Sequence, residues 1–131
     1  NSTHKKALIL GTVGASKAVV YALTSLGIET TFVSRSKKTK GILNYKDLTI
    51  TDIEQHTLIV NCTPLGTYPN IEECPPIPYS GIKKKHLLYD LIYNPIETKF
   101  LSSGKKVNAK TLNGLKMLQL QAEKSWEIWH S

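Results

Sequence analysis

The sequence predicts an α/β domain in which a mostly parallel sheet of about six strands carries helices on both faces. Short apolar runs without polar alternation recur along the chain, and the spacing between them leaves room for a helix. Such runs are typical of strands that are covered on both faces. The first run is followed by a glycine-rich turn and an amphipathic stretch, which is how a nucleotide-binding βαβ unit begins. These observations indicate one doubly wound, Rossmann-like domain over residues 1–131.

The apolar runs and the residues that flank them locate the individual elements. The predicted strands cover residues 7–10, 30–33, 58–61, 87–91 and, more weakly, 106–109. The predicted helices cover residues 17–26, 51–56, 96–103 and, as the longest, 112–129. We expect Gly27 just beyond the first helix, Asp52 or Thr51 at the cap of the second, and Gly104 at the end of the third. The proline-rich residues 72–78 predict a surface loop.

Length and composition place the chain among ordinary soluble globular domains. Its 131 residues fit one domain with its own core, and 40% of them are hydrophobic against 21% charged. No apolar run approaches the roughly 20 residues that span a bilayer, and the charged N-terminus is not followed by the apolar h-region of a signal peptide, so we expect a cytoplasmic protein without a membrane partner. Cys62 and Cys74 are expected to be reduced thiols. Since the first residue is not Met, we expect a fragment of a longer protein.

The net charge of +7 has two interpretations: a basic surface that helps to bind an anionic ligand, or a nucleic-acid interface. The lysines are spread over the sequence, and no aromatic residues are interleaved with the few clusters, which are Lys37 and Lys38, Lys83 to Lys85, and Lys105 and Lys106. A nucleic-acid interface usually needs a clustered patch and a recognisable motif. The pattern therefore favours a small anionic ligand and no nucleic-acid partner.

The glycine-rich turn after the first strand is the candidate phosphate-binding loop. It reads Gly11-Thr12-Val13-Gly14-Ala15-Ser16. Gly11 is the first glycine of the G-x-G-x-x-G/A fingerprint, whereas Val13 and Ser16 stand where its second and third small residues are expected. Backbone N–H groups at such a turn can receive a pyrophosphate. Taken by itself, this loop is a weak indication of dinucleotide binding.

The residues after the second strand indicate which dinucleotide binds. An NAD-binding domain carries Asp or Glu there, about 20 residues past the glycine loop, to hold the ribose 2′-hydroxyl. This chain instead has Ser34-Arg35-Ser36 followed by lysines, and no acidic residue comes before Asp47. Arg35 can bind a 2′-phosphate bidentately while Ser36 donates its hydroxyl, so the sequence predicts NADP. The alternative is that these residues form only a solvated basic loop.

Three further segments carry polar residues at a strand end or along the last helix. Residues 61–66, Asn-Cys-Thr-Pro-Leu-Gly, form a tight turn with short polar side chains, for which a structural role is the alternative. Asp90 lies within an apolar run, and we interpret it as a structural carboxylate that accepts backbone N–H groups. Gly114, Met117 and Gln121 share a helix face. Methionine at this spacing more often belongs to a core, whereas a glutamine amide on a partly apolar face favours a polar substrate.

These motifs, in this order, resemble those of the NADP-dependent shikimate dehydrogenases over nearly the whole chain. Residues 11–18 are similar to that family's glycine loop, and Ser34-Arg35-Ser36 to its Asn-Arg-Thr adenosine-phosphate motif. Residues 61–66 are similar to its Asn-x-Thr-Pro-x-Gly turn, residues 90–95 to Asp-x-x-Tyr-x-Pro, and residues 114–121 to Gly-x-x-Met-Leu-x-x-Gln. The last two motifs are the most specific to the family.

The resemblance implies a site for NADP and part of a site for the substrate. The cofactor-binding residues that it implies are Gly11, Val13, Gly14, Ala15, Ser16, Ser34, Arg35, Ser36, Lys38, Cys62, Thr63, Pro64, Leu65, Leu91, Ile92, Gly114 and Met117. Tyr93 and Gln121 are implied to contact the substrate. The resemblance implies no metal, and it implies no catalytic residue in this chain, because the catalytic Lys and Asp of the family belong to an N-terminal substrate-binding domain.

The implied reaction is the reversible NADPH-dependent reduction of 3-dehydroshikimate to shikimate, a step of aromatic amino-acid (chorismate) biosynthesis. We expect the fragment alone to be inactive, since no general acid is in place. Val13 and Ser34 depart from the family's pattern, and the β-branched Val13 predicts weakened NADP affinity. Two alternatives stay open: a quinate/shikimate dehydrogenase paralogue, and a non-catalytic nucleotide- or nucleic-acid-binding module.

Overall fold

The computed structural model describes residues 5–11, 13–34, 42–92, 95 and 97–113, and of residues 13–16 and 18 it describes the backbone alone. The strands in these ranges are β1 (Lys6–Leu10), β2 (Glu29–Ser34), β3 (Ile42–Asn44), β4 (Leu58–Asn61), β5 (Leu87–Asp90) and β6 (Lys110–Leu112). The helices are α1 (Val13–Ser25), α2 (Ile50–Gln55) and α3 (Lys99–Lys105), with short 3-10 turns at Tyr45–Asp47 and Tyr79–Gly81.

The six strands form one sheet in the order β3-β2-β1-β4-β5-β6, and every neighbouring pair is parallel. From β1 the chain moves outward through β2 and β3, crosses back to β4 on the other side of β1, and moves outward again through β5 and β6. The strand order therefore reverses between β1 and β4. This topology confirms the predicted Rossmann-like α/β fold with its sheet of about six strands.

Alternate residues of the central strands supply two separate cores, one on each face of the sheet. On β1, Ala7 and Ile9 pack on one face with Val19 and Leu23 of α1. The intervening Leu8 and Leu10 pack on the other face, in the cluster that also contains Ile53 of α2 and Phe100 and Leu101 of α3. All four of these β1 side chains are fully buried. The period-2 alternation of a strand thus puts helices on both faces, as predicted.

Two strand predictions are corrected by the structure. The three half-buried residues of β3 were not predicted, because so short a segment carries little apolar pattern. The strand predicted at 106–109 is wrong: these residues form the turn that ends α3, in which Val107 and Ala109 donate backbone hydrogen bonds to the Gly104 carbonyl and Asn108 has φ 65°. The strand begins at Lys110 instead. Leu112 therefore belongs to β6 and not to the predicted helix 112–129, whose residues from 114 onward lie outside the described part of the chain.

The helix ends follow capping chemistry that was only partly predicted. α2 is capped by Thr49, two residues before the nearer expected cap; its hydroxyl accepts from the Asp52 N–H at 3.1 Å while the Asp52 carboxylate accepts from the Thr49 N–H at 3.0 Å. α3 begins later than predicted, because Thr98 caps it. α1 begins earlier, within the glycine loop, and Gly27 follows it with φ 80° as expected for a residue beyond a helix end.

The proline-rich residues 72–78 form neither helix nor strand, as predicted, but the segment is not merely a surface loop. Ile77 is buried in the core beneath β1, β4 and β5, and Pro75 is buried beside it. The Pro75 carbonyl accepts a 2.6 Å hydrogen bond from the Tyr79 hydroxyl. The segment therefore covers part of one sheet face. In the part of the chain that is described, no helix is both long and apolar enough to cross a membrane.

Candidate functional site

The carboxyl ends of the strands meet at the edge of the sheet where the strand order reverses. Leu10 at the end of β1 is aligned with Val33 on one side and with Asn61 on the other, and Asn61 is aligned with Asp90. In open α/β sheets, ligands bind in the crevice outside this edge, at the reversal point. The structure therefore brings Gly11, Ser34, the turn after β4 and the end of β5 to one edge, as the sequence predicts.

Gly11 is required at this edge by its backbone conformation and by its neighbours. Its φ is 119°, which side-chain-bearing residues rarely adopt. A Cβ at this position would lie 3.0 Å from the carbonyl carbon of Cys62 and 3.1 Å from the Thr63 side chain. The chain is held in this close approach by hydrogen bonds from Gly11 N–H to the Val33 carbonyl and from Cys62 N–H to the Leu10 carbonyl. α1 starts at Val13, so its N-terminus lies at the same edge. The backbone N–H groups of a helix N-terminus can bind an anion.

The turn after β4 is organised by the Asn61 side chain. Its Oδ1 accepts hydrogen bonds from the Thr63 N–H at 3.0 Å and from the Thr63 hydroxyl at 2.6 Å. The Thr63 hydroxyl in turn accepts from the Leu65 N–H at 3.2 Å. Pro64 is exposed at the tip of the turn and Leu65 is half-buried. Asn61 Nδ2 donates to the Leu65 carbonyl at 3.4 Å and also bonds outside the turn, to Asp90. Since the polar side-chain groups of Asn61 and Thr63 already have partners, a ligand here would contact main-chain atoms and the apolar parts of side chains.

Asp90 is a fully buried carboxylate that joins three elements of the sheet edge. Its Oδ1 accepts from Asn61 Nδ2 on β4 at 3.2 Å and from the Ile92 N–H at 3.0 Å. Its Oδ2 accepts from the hydroxyl of Thr98 at 2.6 Å, and Thr98 caps α3 by accepting from the Leu101 N–H. The structure thus confirms that Asp90 accepts a backbone N–H group. The contribution of Thr98 was missed in the sequence, because the residue lies inside the helix predicted at 96–103; its only signal was a Thr near the start of a helical segment.

Burial controls the ionisation of the acidic groups at this edge. It raises the pKa of the Asp90 carboxyl above its usual value, and the hydrogen bonds from Thr98, Ile92 and Asn61 act in the opposite direction. Burial and the nearby Asp90 carboxylate raise the pKa of the Cys62 thiol to about 12. Cys62 is therefore a neutral thiol at physiological pH and not a nucleophile. Among the described residues, no cluster of His, Cys, Asp and Glu could hold a metal ion.

The two cysteines should differ sharply in reactivity, because the thiolate is the reacting form and Cys62 is buried whereas Cys74 is partly exposed. In the native chain we expect Cys74 to react with Ellman's reagent and Cys62 to react at least about 100-fold more slowly. Absorbance of the released thiolate measures both rates. A Cys74→Ser variant should remain unlabelled until urea is added; rapid labelling of that native variant would contradict the buried position of Cys62.

The remaining predicted site residues are described in part or not at all. The backbone of Val13, Gly14, Ala15 and Ser16 forms the first turn of α1. Ser34 is half-buried at the end of β2; after β5, Leu91 is half-buried and donates its N–H to the Asn61 carbonyl, and Ile92 is buried. The residues that lie outside the described ranges are Arg35, Ser36, Lys38, Tyr93, Gly114, Met117 and Gln121.

Several known proteins are similar to this chain in both sequence and fold. The chain is 42% identical over 139 residues to a shikimate dehydrogenase (NADP(+)) of Methanococcus maripaludis, a match that covers 96% of this chain and 50% of the relative. The crystal structure of shikimate dehydrogenase 1 from Peptoclostridium difficile has 42% identity and a TM-score of 0.73, with 96% of this chain and 47% of that chain covered. A shikimate dehydrogenase crystallised in complex with NADP+ has 31% identity and a TM-score of 0.72, with coverage of 96% and 49%.

This chain spans about half the length of the curated relatives that it matches. No protein-family model matches it.

Proposed function

The chain belongs to the shikimate dehydrogenase family, and on that premise we propose that it binds NADP(H) as the cofactor-binding half of an oxidoreductase. The observation that carries the proposal is the close packing of Gly11 on the Cys62–Thr63 backbone at the point where the strand order reverses. This packing brings the end of β1 and the turn after β4 together beside the N-terminus of α1, where backbone N–H groups can receive a pyrophosphate. In this assignment Gly14, Ala15 and Ser16 contact the pyrophosphate.

We assign the two ends of the dinucleotide to the two halves of the sheet. The adenosine half, at β1 to β3, carries Ser34, Arg35, Ser36 and Lys38 for the 2′-phosphate. The nicotinamide half, at β4 to β6, offers the turn after β4 and the segment after β5. Its proposed contacts to the cofactor are Cys62, Thr63, Pro64, Leu65, Leu91, Ile92, Gly114 and Met117, with Tyr93 and Gln121 directed to the substrate.

The proposed reaction of the whole enzyme is the reversible NADPH-dependent reduction of 3-dehydroshikimate to shikimate, in the cytoplasm. The hydride comes from the cofactor, and this chain would fix the nicotinamide ring against the substrate carbonyl. We propose that the family's substrate-binding domain supplies the general acid and most of the substrate contacts. For the 131-residue chain by itself, NADP binding without turnover is then the expected behaviour.

The proposal is tested by the selectivity of the chain for NADP over NAD. Calorimetric titration of the wild-type chain should give a lower Kd for NADP, and Arg35→Ala should weaken NADP binding by about 10- to 100-fold while NAD binding changes little. The expected size follows from the loss of a charge-assisted, bidentate contact to the 2′-phosphate.

A matched control is Lys84→Ala, which removes one exposed positive charge from the opposite, amino-terminal end of the sheet. It should leave both Kd values within about twofold, since exposed charges far apart are largely screened by salt. If Arg35→Ala keeps the NADP preference, the assignment of the 2′-phosphate is wrong. If the wild-type chain binds neither dinucleotide, the proposed function itself is wrong.

A further inference from the structure

The buried negative charge of Asp90 lies close enough to the proposed cofactor site to affect the relative affinities for the oxidised and reduced cofactors. We propose that the Asp90 carboxylate is a specificity-determining group that favours the oxidised cofactor, with its cationic nicotinamide ring, over the reduced cofactor, whose ring is neutral. The inference rests on the proposed NADP(H) site and deepens it, because it assigns to this site a preference between the two redox forms.

The topology places this carboxylate in the nicotinamide half of the proposed site. Asp90 is the last residue of β5, which lies between β4 and β6 in the sheet. Through Asn61 it is joined to the turn after β4, and through the Ile92 N–H to the segment that leads towards Tyr93. Both segments are proposed contacts of the nicotinamide end. The charge is therefore hydrogen-bonded to both segments on which the ring is proposed to be held.

The hydrogen-bond pattern around Asp90 is that of an ionised carboxylate. Its three partners, Asn61 Nδ2, the Ile92 N–H and the Thr98 hydroxyl, all donate to it. The Thr98 hydroxyl already accepts from the Leu101 N–H, which leaves its proton for the carboxylate. Three donors to one carboxyl group stabilise its charged form.

No ion pair in the described residues neutralises this charge. The two ion pairs there join Lys99 to Glu72 and Lys105 to Glu97, on exposed surfaces. The acidic groups that interact electrostatically with Asp90 are Cys62, Tyr79 and Tyr89, and burial keeps all three neutral. Among the described residues, the groups that stabilise the carboxylate are therefore three dipoles and not a cation, so its charge is left to act on a ligand at the sheet edge.

A charge in this position acts on the two redox forms differently. NADP+ and NADPH carry the same phosphates, so the repulsion between Asp90 and the phosphates contributes equally to both affinities and cancels in the ratio of the two Kd values. What remains is the interaction of Asp90 with the ring, which is positive in one form and neutral in the other. At an effective dielectric constant of about 20, two unit charges several ångströms apart still interact by more than the thermal energy.

The test is the ratio of the Kd values of NADP+ and NADPH, measured by calorimetry at a pH of about 8 for the wild-type chain and for Asp90→Asn. The asparagine Oδ1 can accept from Asn61 and Ile92, and its amide can donate to the Thr98 hydroxyl, so the variant removes the charge with little change of shape. We expect the ratio Kd(NADP+)/Kd(NADPH) to rise by about three- to tenfold. Asp90→Ser removes the same charge with a smaller side chain and should shift the ratio in the same direction.

Thr98→Val is the matched control, because it disturbs the same network but keeps the charge. Both affinities should change together in this variant, with the ratio within about twofold of wild type. An unchanged ratio in a folded Asp90→Asn or Asp90→Ser chain overturns the inference while NADP binding still supports the proposed function. Failure of both neutral variants to fold also overturns it, since the carboxylate would then be a requirement of the fold. Absence of binding by the wild-type chain overturns the proposed function instead.

Discussion

Replacing Gly11 with alanine should abolish NADP binding and lower the free energy of unfolding by about 2–4 kcal/mol, the combined cost of a strained backbone and an overpacked contact. The backbone at Gly11 has φ 119°, and the new Cβ would approach the Cys62 carbonyl carbon to 3.0 Å. That neighbour is main chain of the turn after β4 and cannot rotate away as a side chain could. Relief of the contact requires β1 and the turn to separate, which displaces the proposed pyrophosphate site. Urea denaturation and calorimetric titration measure the two effects.

Gly27→Ala provides the matched comparison for this prediction. Gly27 also has a positive φ, 80°, but no atom lies within 4 Å of the place where its Cβ would be. The variant should lose only about 1 kcal/mol, the cost of the backbone conformation, and should bind NADP as the wild type does. If Gly11→Ala binds NADP normally, the packing of Gly11 on Cys62 does not define the cofactor site.

Asp90→Ala should destabilise the chain by about 3–5 kcal/mol, because it leaves buried hydrogen-bond donors without an acceptor and opens a cavity. The Ile92 N–H and the Thr98 hydroxyl would lose their acceptor, and Asn61 Nδ2 would keep only its 3.4 Å bond to the Leu65 carbonyl. Denaturant titration gives the loss directly. Asp90→Asn should lose less than half as much, since its Oδ1 still accepts from Asn61 Nδ2 and the Ile92 N–H and its side chain fills the same space. Equal losses in the two variants would contradict the contribution of the hydrogen bonds accepted by Oδ1.

The pH dependence of stability gives a check on the same residue. Since burial raises the pKa of Asp90 in the folded chain, its contribution to the free energy of unfolding is fully present below the unfolded value of about 3.9 and is lost as the pH rises through the folded pKa. The free energy of unfolding of the wild type minus that of Asp90→Asn should therefore decrease as the pH rises above about 4. If this difference in the free energy of unfolding increased with pH, the pKa of Asp90 would be lowered in the folded chain and not raised.

The central strands and the position of the site could be predicted from sequence because their signals are local. β1, β4 and β5 are continuous apolar runs, and the turns that follow them carry residues with special backbone or hydrogen-bonding behaviour, such as Gly11 and Asn61. The parallel arrangement of these strands then determines that the turns share one edge. Two or three residues at each strand end are therefore sufficient to predict where the site lies.

What could not be predicted depends on contacts between distant segments. The three residues of β3 form a strand because β2 offers them an edge, and no local pattern marks them. The apolar Val107 suggested a strand, but the backbone N–H groups of Val107 and Ala109 donate to the Gly104 carbonyl and end α3. Thr98 lies eight residues beyond Asp90, and only the packing of α3 against β5 brings its hydroxyl to the carboxylate.

The sheet joins its two halves through a single pairing, between β1 and β4, whose partners Leu10 and Asn61 are distant in the chain. Each half builds its own side of the crevice, but Gly11 meets Cys62 and Thr63 only when this pairing is complete. The loop-closure entropy of such a long-range pairing must be overcome before the ligand surface exists. Unfolding of one half of the sheet would therefore remove the whole ligand-binding surface. Cofactor affinity in this chain consequently reports cooperative folding of the entire sheet.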